Sequence, residues 1–163
     1  MDLNHYDIEE LLLNAIKSEI ESKELYLKIS KKTKNGLLED KLRFLADEEE
    51  KHRLFIEDIY KNHYPDKKIK VPSQSIVPLP EVVFKEDTAL SILIKQAMDA
   101  EQAASDFYNS LANRFEEGSK IRNTLKYFAD MEIGHFKILE QEKNSMESFE
   151  EGDVYWPMVH AGP

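Results

Sequence analysis

The 163-residue chain has no cysteine, only five glycines and far fewer bases than acids, 22 against 32. Without cysteine there is no disulfide, no thiolate nucleophile, no iron–sulfur cluster and no thiolate zinc site. The acid excess, a formal net charge of −10, argues against nucleic acid, because phosphate binding needs clustered Lys and Arg. Long apolar runs are also missing. None approaches the roughly 20 residues that a spanning helix needs, so no membrane partner is expected. The start, Met-Asp-Leu-Asn-His, lacks the basic residues and apolar stretch of a signal peptide. A cytoplasmic location is the expectation. At 33% charged and 41% hydrophobic, the composition is that of one globular domain.

What is present is helical periodicity. It predicts four long helices, over residues 7–33, 37–63, 88–115 and 120–146, about two thirds of the chain. Gly36, Pro65 and Gly118 punctuate them, and Asp87 and Ser119 stand where N-caps belong. Short turns at Lys34-Asn35-Gly36 and Glu116-Glu117-Gly118-Ser119 make two antiparallel hairpins. Between the hairpins, residues 64–87 carry prolines at 65, 72, 78 and 80. An extended segment of that length can cross the bundle from end to end. The predicted fold is all-α, a four-helix bundle at residues 1–146 whose hairpins are joined by a long crossover. Residues 147–163 read as a tail whose aromatics, Trp156 among them, dock on the bundle or on a neighbouring subunit.

Each helix has a seam with 4-3-4-3 spacing, and each seam carries a glutamate at its middle: Glu19, Glu49, Glu101 and Glu132. In the second and fourth helices a histidine follows three residues later, His52 and His135. A lone Glu-x-x-His is usually a solvated pair, and a lone seam Glu usually snorkels. Six such residues at one level are different, because four buried carboxylates repel one another and resist desolvation. Two divalent cations would balance four carboxylates, and neutral imidazoles would complete the shells. Residues i and i+3 share a helix face, so each Glu-x-x-His can serve one site. One Glu from each of two helices with Glu-x-x-His from the other two is the known ligand set of di-iron and di-manganese bundles. Oxygen and nitrogen donors without sulfur suit iron or manganese, and zinc can occupy the same set.

The two hairpins also repeat. An offset of 82 pairs Ala15, Glu19 and Tyr26 with Ala97, Glu101 and Tyr108. An offset of 83 pairs Leu42, Ala46, Asp47, Glu49 and His52 with Leu125, Ala129, Asp130, Glu132 and His135. Tyr26 and Tyr108 lie two turns beyond Glu19 and Glu101 on the same seams. They are candidates to hydrogen-bond ligand carboxylates or to donate electrons, and equally fit ordinary amphipathic core. Asp47 and Asp130 read as solvated charge, and His63 lies too far along its helix to join the same centre.

Through Ala15-Ile16-x-x-Glu19, Ala46-Asp47-x-Glu49-x-x-His52, Ala97-x-x-x-Glu101 and Ala129-Asp130-x-Glu132-x-x-His135, the chain resembles the ferritin-like superfamily, in particular its rubrerythrin-like branch. The resemblance covers residues 7–146. It implies that Glu19 and Glu101 are terminal ligands, Glu49 and Glu132 bridging ligands, and His52 and His135 one nitrogen ligand per iron. It further implies a non-haem di-iron oxidoreductase that reduces peroxide or dioxygen, or oxidises ferrous iron, and that works as a homodimer. Typical rubrerythrins carry another Glu three residues after the third-helix ligand, where this chain has Ala104. They also continue into a four-cysteine rubredoxin domain, so here electrons are expected from a separate redox donor protein. An iron-storage shell subunit of bacterioferritin type shares the Glu and Glu-x-x-His pattern and stays open. So does a metal-stabilised bundle that binds a partner without catalysis.

Overall fold

A computed structural model describes residues 1–73, 75, 84, 85 and 87–152. Its elements are α1 (Ile8–Lys32), α2 (Gly36–His63), α3 (Leu90–Ala112) and α4 (Lys120–Gly152). The expected all-α, ferritin-like four-helix bundle is what forms.

Local chemistry sets most helix ends. Asp7 accepts from the Glu10 amide at 2.8 Å, and Glu10 accepts from the Asp7 amide at 3.2 Å, closing a capping box on α1. Asn35 caps α2 through the amides of Leu37 and Leu38, so Gly36 is the first helical residue rather than a turn residue. Ser119 caps α4 through the Arg122 amide at 3.2 Å. The turn before it depends on Gly118, whose φ of 76° is a left-handed conformation that other residues adopt only at a cost.

Three further boundaries differ from expectation. Asp87 does not cap α3: the helix starts two residues later, from Ala89, whose carbonyl accepts from Ile92 and Leu93, and among the described residues no side chain caps it. At its other end α3 stops at Ala112, where Arg114 and Phe115 turn back to the carbonyls of Leu111 and Ala112 in tighter bonds. Arg114 then ties down the N-terminal segment through the carbonyls of Leu3 and Tyr6. Finally, α4 runs on past Met146 to Gly152, the last described residue, since residues 147–151 are all compatible with helix. The rest of the expected tail, with Trp156 and His160, lies outside the described residues.

Helix α1 packs along α2, α3 along α4, and the hairpins meet through α1 on α3 and α2 on α4. Two hydrophobic clusters result. One joins Leu11 to Ile16 of α1 with Ile56, Ile59 and Tyr60 of α2, Phe107 to Ala112 of α3, and Leu125 to Ala129 of α4. The other joins Leu25 to Ile29 of α1 with Leu38 to Ala46 of α2, Leu93 to Met98 of α3, and Leu139 of α4. Thus α1 and α4 run one way and α2 and α3 the other. The crossover begins against the first cluster with Tyr64 and Ile69 and returns against the second with Phe84. Among the described residues no helix is long and apolar enough to cross a membrane.

Candidate metal centre

The level between the two clusters is polar. There the structure brings together all six seam residues: Glu19 from α1, Glu49 and His52 from α2, Glu101 from α3, Glu132 and His135 from α4. None is more than 4% exposed. They fall into two groups of four, Glu19, Glu49, His52 and Glu132, and Glu49, Glu101, Glu132 and His135. Within each group one candidate ligand atom per residue lies within 4.8 Å of every other. Glu49 and Glu132 belong to both groups, which is the placement a bridging carboxylate needs.

Both imidazoles turn Nδ1 inward. His52 Nδ1 is 3.0 Å from Glu132, 3.6 Å from Glu19 and 3.8 Å from Glu49. His135 Nδ1 is 3.0 Å from Glu132, 3.1 Å from Glu49 and 3.6 Å from Glu101. The two rings lie nearly parallel, 18° apart, with centroids 5.8 Å from each other. Despite these short separations, among the described residues both Nδ1 atoms lack a hydrogen-bond partner, as do His52 Nε2, one oxygen each of Glu19 and Glu49, and both of Glu132. Seven such atoms, each costing about 1–3 kcal/mol if left unanswered, are not what a folded core tolerates for its own sake. A pair of divalent cations answers the inward-facing atoms, and the oxygen–nitrogen donor set is one that iron, manganese or zinc accepts. The residues fit the metals.

Electrostatics agree. Burial, and then the charges of Glu132, Glu19 and Glu101, push the Glu49 carboxyl well above its ordinary range. Burial and the Glu132 charge lift Glu101 to about 8 against the pull of His135. Burial alone would lower His52, but Glu132 and Glu19 outweigh it and raise the imidazole to about 9. The same contest, with Glu101, Glu132 and Glu49 as the carboxylates, raises His135. Burial would also raise Glu132, yet the two imidazoles hold it below the usual carboxylate range. Without cations the cluster therefore offsets its charge by retaining protons, and metals entering it must displace them.

The tyrosines cross between hairpins. Tyr26 of α1 donates its hydroxyl to Glu101 of α3, and Tyr108 of α3 donates to Glu19 of α1. Burial and the charges of those partners raise both phenols well above their ordinary value, so they stay protonated as donors. Ala104 is half-buried one turn after Glu101, as is its counterpart Ser22 after Glu19. Asp47 and Asp130 are exposed. His63 bonds the Ile59 carbonyl at 3.0 Å and packs edge-on against Phe115, at the end of the bundle rather than in the centre. One contact was not read from sequence. The Phe128 ring lies on His52, centroids 4.3 Å apart. Its signal was available, since Phe128 occupies the seam one turn before Glu132.

The sequence profile of the family described as rubrerythrin matches residues 10–143. A solved structure of a hypothetical protein from Pyrococcus furiosus superposes with a TM-score of 0.81 at 33% identity. The superposition covers 91% of this chain and 95% of that one. Comparison with curated proteins gives no match.

Proposed function

Because the chain belongs to the rubrerythrin family, we propose that it is a non-haem di-iron oxidoreductase that reduces peroxide or dioxygen with electrons from a separate protein. One observation carries the proposal: two buried groups of four ligands share Glu49 and Glu132, and among the described residues atoms of Glu19, Glu49, His52, Glu132 and His135 are left unpaired there. In this reading Glu19 and His52 would hold one metal, Glu101 and His135 the other, and Glu49 and Glu132 would serve both. Bound as a ferrous pair, the metals supply the two electrons that cleaving an O–O bond requires. Reduction of hydrogen peroxide consumes two electrons and two protons and yields two waters.

The protein's own part is to hold the site. Tyr26 and Tyr108 fix the terminal carboxylates Glu101 and Glu19 across the hairpin interface, which restrains their rotation. The hydrophobic clusters above and below keep bulk water from the ligands. The 163 residues hold no cysteine, so a rubredoxin-type electron centre must sit outside them. The reading includes cytoplasmic action as a homodimer.

The test is anaerobic. Protein loaded with iron and reduced is mixed with peroxide or dioxygen, and oxidation is followed optically against free ferrous iron. Oxidation faster than the free ion, with one peroxide consumed per two irons, supports the proposal. Oxidation at the free-ion rate refutes it, and a particle of about 24 chains on sizing would favour the storage-shell reading instead.

A further inference from the structure

The two halves of the centre differ at one packing position. The offset that places His52 on His135 and Glu49 on Glu132 places Leu45 on Phe128. Phe128 lies over His52, its ring tilted 32° from the imidazole plane at 4.3 Å. It also meets Tyr108 edge-on at 5.9 Å and Phe55 at 5.2 Å. Tyr108 in turn donates to Glu19. Phe128 therefore touches one side chain of the first ligand group directly and steadies another through a tyrosine. In the second half the matching position is Leu45, set among Leu42 and Leu139. Among the described residues, the His135 ring meets only that of His52.

His52 needs such a support. A ligating histidine is normally steered by an acceptor on its outer N–H, which fixes both ring plane and tautomer. Among the described residues, His52 Nε2 is buried without a hydrogen-bond partner. The ring plane of His52 is thus set by its aromatic neighbours, Phe128 with its centroid at 4.3 Å and His135 at 5.8 Å. A ring already immobilised by folding loses little further freedom when it binds a ligand, so its half of the centre is preorganised.

We propose that Phe128 is the positioning residue for His52 and that it makes the two metal positions unequal, the Glu19–His52 position being the tighter. The inference rests on the two-metal reading above. The expected inequality is about tenfold in affinity, the lower end of what loss of an outer support costs a metal-binding histidine.

The experiment titrates chelator-treated, full-length protein with Zn2+ while imidazole signals are followed by NMR on 15N-histidine-labelled protein. A parallel Co2+ titration is read by absorbance and calorimetry. Two steps about tenfold apart are expected, with His52 responding in the first. Phe128→Leu, which installs the residue found in the other half, should weaken the first step about tenfold and leave the second within twofold, closing the gap. A general loss of packing would weaken both. Leu45→Phe is the mirror variant and should close the gap from the other side, by tightening the His135 step; it decides the matter if Phe128→Leu does not fold. A single step, His135 responding first, or equal weakening of both steps by Phe128→Leu overturns the inference and leaves the two-metal reading standing. Failure to bind metal at all overturns both.

Discussion

A metal-free variant with the whole polar level made apolar should be more stable than the metal-free natural chain. The substitutions are Glu19, Glu49, Glu101 and Glu132 to Met, His52 and His135 to Leu, and Tyr26 and Tyr108 to Phe. The tyrosines must be included because their hydroxyls donate to Glu101 and Glu19 and would otherwise be orphaned, at about 1–3 kcal/mol each. Seven nitrogen and oxygen atoms of the cluster are buried without hydrogen bonds, which sets an upper bound of roughly 7–20 kcal/mol on what the polar level costs. Retained protons and mutual contacts remove most of that sum. Measured replacements of buried ionic clusters by packed apolar residues gain about 1–4 kcal/mol. For a chain of this size the gain corresponds to a rise of about 2–16 °C in Tm. Thermal unfolding by circular dichroism in chelator gives the comparison. A second scan with divalent metal should raise the natural chain alone, by about 3–4 kcal/mol per site at several hundred times the dissociation constant. A well-folded variant that melts clearly below the metal-free natural chain would refute the reasoning, since the cluster would then be stabilising in itself.

Other outcomes follow from single residues. Glu132→Ala should lose both metals by elemental analysis, because that carboxylate belongs to both ligand groups, whereas Glu19→Ala should retain one; equal losses would remove the distinction between bridge and terminus. Asp7→Ala removes the α1 capping box and should cost about 1 kcal/mol, or roughly 2–4 °C in Tm. Glu50 bonds Arg53 and Lys23, and the Arg53 bond, followed by the Lys23 bond, outweighs desolvation and lowers its carboxyl to about 2. Its folded value lies below the unfolded one, so its contribution is complete above the ordinary carboxylate range and is lost as pH falls toward 2. After solvent screening it amounts to about 1 kcal/mol. The stabilities of the natural chain and Glu50→Gln should therefore differ at pH 7 and converge near pH 2; parallel curves would show that the pair contributes nothing.

Much of this molecule is legible in its sequence because a packed bundle enforces one period. The 4-3 spacing put Glu19, Glu49, Glu101 and Glu132 on seams at one level, and the structure gathers them with both histidines. Other features depend on neighbours that the period does not report. Tyr26 bonds Glu101 of the opposite hairpin, a pairing set by how α1 crosses α3. Glu142 stands on the α4 seam like a misplaced core residue, and its partner proves to be Lys41, across the bundle on α2. Asp87 has the composition of a cap, yet the chain enters α3 only at Ala89. Phe128 reads as one more apolar seam residue, and only the packed bundle shows it lying on His52.

The central claim is that the polar level of this bundle is a two-metal site. Its most direct test is the number of metal ions bound per chain, measured by elemental analysis after anaerobic loading of chelator-treated protein with ferrous iron and removal of free ion. Two irons per chain, falling to none in Glu132→Ala, is the result predicted here. One iron or fewer in the natural chain, or two irons retained in Glu132→Ala, would contradict it.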